Sequence, residues 1–188
     1  MLMDPYASGV LVEEQHARLV QDIDRYAKDA GIQPRWIASR MGDVCSPKEL
    51  EYARKLNTHR AGGEIDGLCY FQETTKADPL AHMNAMAGAL VRNFVRARVM
   101  TLGTVFDHLA KGGKVEASLL LIPNFCLSKD EGGSIAPWQA QAMIDLLLQR
   151  SADGQQTVLY ATDIAAVKAM YGLLLARTIE TRFIHVGI

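Results

Sequence analysis

The densest group of chemically capable side chains in this sequence is basic: Arg92, Arg96 and Arg98 bracket Phe94, and Lys111 and Lys114 follow. Cations so grouped can neutralise successive phosphates of single-stranded nucleic acid while an aromatic ring stacks on a base. The competing reading is a solvated helix end, where arginine favours the C-terminal dipole. Cys45, Cys69 and Cys126 are odd in number and far apart, and two lie in apolar runs, so buried free thiols are expected rather than disulfides or a Cys-x-x-Cys zinc site. His16, His59, His82, His108 and His185 form no HxxxH or HxH pair, so neither a metal nor a cofactor is expected. No Ser-His-Asp, Cys-His or paired-carboxylate site can be argued from spacing, because such groups converge only in the fold.

These residues sit in a chain of ordinary globular composition: 188 residues, 49% hydrophobic and 22% charged, enough for one domain with or without an extension. Twenty Lys and Arg against 21 Asp and Glu give no general attraction to nucleic acid or anionic membrane and leave only local patches to act. No apolar run approaches the roughly 20 residues of a membrane span. The opening MLMDPYASGVLVEEQ lacks a basic n-region, so no membrane partner and a cytoplasmic location are expected.

The apolar stripe Leu11, Val12, Leu19, Ile23, Tyr26, Ala27, Ala30 predicts an amphipathic helix over 11–30, with Gly31 as its stop. Ser46-Pro47-Lys48-Glu49 reads as a capping box opening a helix to about Leu56. The glycine-rich AGGEIDG (61–67) marks a boundary between a helical N-terminal extension, 1–60, and an α/β core, 61–188. In that core, near-continuous apolar runs at Leu68–Phe71, Val99–Leu102, Leu119–Ile122, Val158–Ala161 and Phe183–Val186 predict buried parallel strands. Helices are expected from Asp78-Pro79 to Arg92, from Ser134–Pro137 to Arg150 and from Asp163 to Gly172, with a short one at 104–110. The resulting fold class is α/β: a parallel five-stranded sheet flanked by helices, with ligand sites beyond the strand C-termini. The loop CLSKDEGGSIAPW (126–138) follows one such end and reads either as a binding loop or as a connection, with Trp138 in the core.

From Gly67 onward the order of segments resembles the DnaC and IstB branch of the AAA+ ATPases, P-loop proteins that load replicative helicases or assist transposition. GLCYF (67–71) looks like the first core strand, DPLAHMNAMAGALV (78–91) like the helix after the phosphate loop, and RVMTLGTVFDHL (98–109) like the second strand and its short helix. ASLLLIPNF (117–125) stands in place of the Walker B strand, WQAQAMIDLLLQRSADGQQTVLYATD (138–163) looks like the next helix and the sensor strand, and YGLLLARTIETRFIHV (171–186) like the closing helix and last strand. The resemblance covers about two thirds of the chain.

A phosphate loop needs glycines that aim backbone N–H groups at phosphates, a lysine for the terminal phosphates and a hydroxyl for magnesium. The matching stretch QETTKADPLA (72–81) has no glycine and no GK[ST] run, with Asp78 and Pro79 where the lysine belongs. LLLIPNF (119–125) ends in Pro123 and Asn124 instead of the acidic pair that holds magnesium. ATP hydrolysis is therefore not expected, and no catalytic residue is assigned. The resemblance leaves Lys76, Asp163 and Arg177 as vestigial nucleotide-site positions, although Asp163 also reads as a helix cap and Arg177 as a dipole partner. It implies a pseudo-ATPase that binds a protein partner, a helicase or a recombination or replication protein, with single-stranded DNA as a second partner and a homo-oligomer or mixed assembly as the setting. The other reading is a small-molecule-binding protein or enzyme of another doubly wound family, using a pocket near Gln72, Asn124 and Asp163.

Overall fold

Each of the five apolar runs contributes a strand: β1 (Gly67–Phe71), β2 (Ala97–Val99), β3 (Leu119–Cys126), β4 (Gln156–Ala161) and β5 (Phe183–Gly187). They form one all-parallel sheet in the order β2-β3-β4-β1-β5. The structure is a computed structural model and describes residues 4–76, 78–127 and 134–188. Burial on both faces explains the continuous apolar patterning, because successive side chains enter different cores. Leu68, Tyr70, Leu119, Leu121, Val158 and Tyr160 enter one core, whereas Cys69, Leu120, Ile122 and Leu159 enter the other.

The second core is covered by α7 (Leu102–Ala110), α8 (Pro137–Ala152), α9 (Ile164–Tyr171) and α10 (Leu173–Arg182). The first is covered by α6 (Pro79–Arg92) together with Met41, Tyr52 and Leu56 from the N-terminal helices. Those helices are α1 (Glu13–Gln21), α2 (Ile23–Ala30), α3 (Pro34–Ala38), α4 (Pro47–Arg54) and α5 (Leu56–Gly62), with a 3-10 turn at Met41–Asp43. Leu11, Leu19, Ala27, Ala30 and Ile37 pack with Val91 of α6, so the stripe over 11–30 is turned onto the first core helix. Two glycines permit the N-terminal helices to approach the core closely. A Cβ on Gly31 would lie 2.3 Å from the Val99 carbonyl oxygen, and one on Gly88 would lie 2.1 Å from that of Trp36.

Three expectations shift in detail. The helix over 11–30 is broken at Asp22, whose φ of −110° and ψ of 23° leave the helical region. The strand expected at 99–102 lies at 97–99, because Thr101 already caps α7 by accepting from the Thr104 N–H (3.3 Å). The cap of α8 is Ala136 rather than Ser134, with the Gln139 side chain reaching back to the Ala136 N–H (2.7 Å).

Arg150 of α8 is 2% exposed and staples the lower end of the sheet. Its guanidinium donates to the carbonyls of Val115, Ala117 and Gln156 and to side-chain oxygens of Thr157 and Gln155, at 2.6–3.1 Å. A buried cation is tolerated here because its donors all find acceptors.

Candidate functional site

In a parallel sheet of this order, the turn from β1, which lies between β4 and β5, into α6 is where a phosphate would be cradled. Here three backbone donors at the start of that turn, those of Gln72, Glu73 and Thr74, are already engaged. Gln72 N–H donates to the Thr162 carbonyl (3.3 Å), and Glu73 and Thr74 N–H both donate to the Ile188 carbonyl (2.7 and 3.2 Å). Ile188 in turn donates to the Phe71 carbonyl (3.0 Å), so residues 71–74 continue the pairing with the segment beyond β5. The Glu73 side chain lies over Gly187, where a Cβ would sit 1.8 Å from its carboxylate oxygen. The helix N-terminus carries an anion of its own, since Asp78 accepts from the Ala81 N–H (2.9 Å) and Pro79 removes a donor at the first helical position.

The neighbouring strand end is equally committed. β3 shifts register between Ile122 and Cys126, as expected where Pro123 cannot donate to the ladder. Asn124 accepts from the Leu102 N–H (2.8 Å), which fixes the start of α7. Asp163 caps α9 by accepting from the Ala166 N–H (2.6 Å). Lys76 and Arg177 are both exposed, Arg177 on α10, and no hydrogen bond or ion pair joins either to Asp163. Three clefts of about 490, 770 and 820 Å³ lie elsewhere, and none is lined by Gln72, Asn124 or Asp163. Residues 128–133 of the loop 126–138 and Ala77 of the stretch 72–81 lie outside the described residues. Trp138 is 54% exposed, with its ring edge-on to Phe106 at 6.0 Å.

The basic group lies at the opposite, N-terminal end of the strands, and the structure divides it. Arg92 is half-buried and donates to the carbonyls of Ile37 (3.2 Å) and Ser39 (2.8 Å), a structural tie between α6 and the end of α3. Phe94 is 66% exposed and is the one non-glycine with positive φ, 60°, among the described residues. It occupies the left-handed position of a Schellman turn that ends α6, with Phe94 N–H on Val91 O (2.9 Å) and Val95 N–H on Leu90 O (2.9 Å). Its ring stacks on His16 of α1, with centroids 6.1 Å apart. Arg96 and Arg98, both exposed, line the 490 Å³ cleft beside Phe94, together with Asp29 and Glu116. Arg96 and Lys114 line the 820 Å³ cleft, whereas Lys111, exposed at the end of α7, lines neither.

All three cysteines are free and buried. Burial, with Asp163 adding to it, pushes the Cys126 thiol up to about 12, and burial raises Cys69 and Cys45 as well, so none is a ready nucleophile. Spacing missed one assembly altogether. Cys45, Glu49 and His82 meet beneath α4 and α6, and nothing in their separation along the chain announces it.

No protein-family model and no curated protein matches the sequence. Solved structures do. The chain is similar to AMPPCP-bound DnaA from Aquifex aeolicus, at 12% identity and a TM-score of 0.57 over 79% of this chain and 49% of that one. It is similar to a replication initiator DnaA bound to AMPPCP and single-stranded DNA, at 13% identity and a TM-score of 0.57 over 83% of this chain and 50% of that one. It is similar to the DnaC helicase loader at 14% identity and a TM-score of 0.55, over 82% of this chain and 98% of that one. The chain spans about half the length of the DnaA structures it matches. At these identities the likeness establishes the fold alone, a parallel five-stranded sheet flanked by helices, as in the DnaA and DnaC structures.

Proposed function

We propose that this chain is a nucleotide-independent accessory factor, an AAA+-fold module that engages a protein partner in a replication or mobile-element assembly without turning over ATP. The observation that carries the reading is the closed phosphate turn: the Glu73 and Thr74 amides share the Ile188 carbonyl, and Asp78 supplies the anion at the start of α6. A phosphate entering there would meet a carboxylate and spent donors. Asn124 and Asp163, at the positions where the fold's nucleotide chemistry would sit, act as ties for α7 and α9.

The similarity to a helicase loader, spanning 98% of that structure, supports a protein partner of the helicase kind. A surface suited to such a partner is the shallow apolar strip between α8 and α10, where Leu148 and Leu174 are 52% and 63% exposed. The direct test is phosphate release from ATP and magnesium by purified protein. Release no faster than in buffer is expected; magnesium-dependent turnover that is lost in Asp163→Asn would overturn the reading.

A second activity draws on the basic end of the sheet. Phe94, projecting beside Arg96 and Arg98, supports contact with single-stranded DNA, the ligand of one of the similar DnaA structures. Fluorescence anisotropy with a labelled oligonucleotide tests it: salt-sensitive binding supports the contact, and no binding at low salt removes it.

A further inference from the structure

Cys45, Glu49 and His82 place a thiol, a carboxylate and an imidazole so that their ligand atoms all lie within 4.8 Å of one another. They come from different elements: Cys45 follows the 3-10 turn, Glu49 lies in the first turn of α4 and His82 in the first turn of α6. Cys45 is 6% exposed, the Glu49 side chain is fully buried and that of His82 is 19% exposed. We propose that these three side chains bind one zinc ion, which clasps the N-terminal helical layer to the first helix of the α/β core.

The donor set argues for zinc. A mixed sulfur, nitrogen and oxygen site suits a borderline-soft divalent ion and is poor for magnesium or calcium, which take oxygen ligands. The supporting hydrogen bonds are already in place. Glu49 Oε1 accepts from the Tyr70 hydroxyl (2.7 Å), and Oε2 accepts from the Ser46 N–H (2.7 Å), so the carboxylate is oriented by groups that need not move when a metal binds. The Cys45 Sγ lies 3.5 Å from the His82 carbonyl, which keeps the thiol against the first turn of α6. Zinc bonds of about 2.0–2.3 Å require the ligand atoms to close in, and His82 is the most exposed of the three. Its exposed side leaves the fourth position to water.

The proton balance is simple and involves no redox change. In the metal-free protein His82 Nδ1 and Glu49 Oε1 are 2.9 Å apart and share one hydrogen. On binding, that hydrogen leaves Nδ1 for Nε2 or for solvent, Cys45 releases its thiol proton to solvent, and Glu49 binds as the carboxylate it already is. Two negative ligands then neutralise the ion. Because the Cys45 thiol must lose its proton to bind, affinity falls as pH falls.

The test uses the full chain, stripped with a chelator in a non-thiol reductant and titrated with zinc by calorimetry and with cobalt by absorbance. Expected results are one equivalent of zinc, a thiolate-to-cobalt charge-transfer band, and a thermal midpoint that rises with zinc. Cys45→Ser and His82→Gln should each weaken binding by about tenfold or more, and Tyr70→Phe by about tenfold through the outer shell. If a variant does not fold, the wild-type cobalt spectrum decides alone. No binding by the wild-type chain, or binding without the thiolate band and unchanged in Cys45→Ser, would overturn the proposal. Either result is independent of nucleotide binding.

Discussion

The Glu73 N–H donates to the Ile188 carbonyl at 2.7 Å, which extends the pairing between β1 and β5 past the end of both strands. The turn that follows β1 is thereby tied to the residue that follows β5, its neighbour in the sheet. Fold and nucleotide chemistry are separable in this arrangement because the strands are held by apolar packing, whereas a phosphate site depends on where a few amides point.

Asp78 belongs to that closure as a helix cap. Asp78→Ala should cost about 1 kcal/mol of stability, read by urea unfolding. Asp78→Asn, which keeps a capping oxygen and removes the charge, should change stability little and confer no affinity for ATP.

Phe94 stands at φ 60°, a position that glycine fills at lower cost. Phe94→Gly should raise stability by up to about 1 kcal/mol, less whatever the stacking on His16 contributes. The same change should abolish oligonucleotide binding. A loss of both stability and binding would mean that Phe94 is a packing residue.

The arginines should separate in the same assays. Arg92→Ala removes the tie to Ile37 and Ser39 and should cost about 1–3 kcal/mol without altering the salt dependence of DNA binding. Arg96→Ala and Arg98→Ala should leave stability within about 0.5 kcal/mol and each lower the salt slope by about 0.7.

Arg150→Leu strands the carbonyls of Val115, Ala117 and Gln156 in the interior. A loss of at least about 3 kcal/mol is expected, seen in denaturant unfolding as a lower midpoint.

Much of the architecture was legible because parallel strands buried on both faces leave continuous apolar runs, as at Leu119–Ile122 and Val158–Ala161. β2 lies at 97–99 rather than 99–102 because the exposed Arg98 interrupts its apolar run, while the apolar Met100 and Leu102 belong to the approach and start of α7. The missing glycines of 72–81 were visible in the sequence. The capture of the Glu73 and Thr74 amides by Ile188 was not, since it joins residues more than a hundred positions apart. The same holds for Arg92, where a basic residue read as surface charge is spent on two backbone carbonyls. No spacing signal marks Cys45, Glu49 and His82, because ligands drawn from separate elements leave no pattern along the chain.

The central claim is most directly tested by calorimetric titration of the purified chain with ATP and ADP in the presence of magnesium, with the thermal midpoint followed in parallel. The account predicts no saturable heat and no rise in midpoint at millimolar nucleotide. Saturable, magnesium-dependent binding with a matching thermal stabilisation would contradict it and would mean that the Glu73 and Thr74 amides leave Ile188 to receive a phosphate.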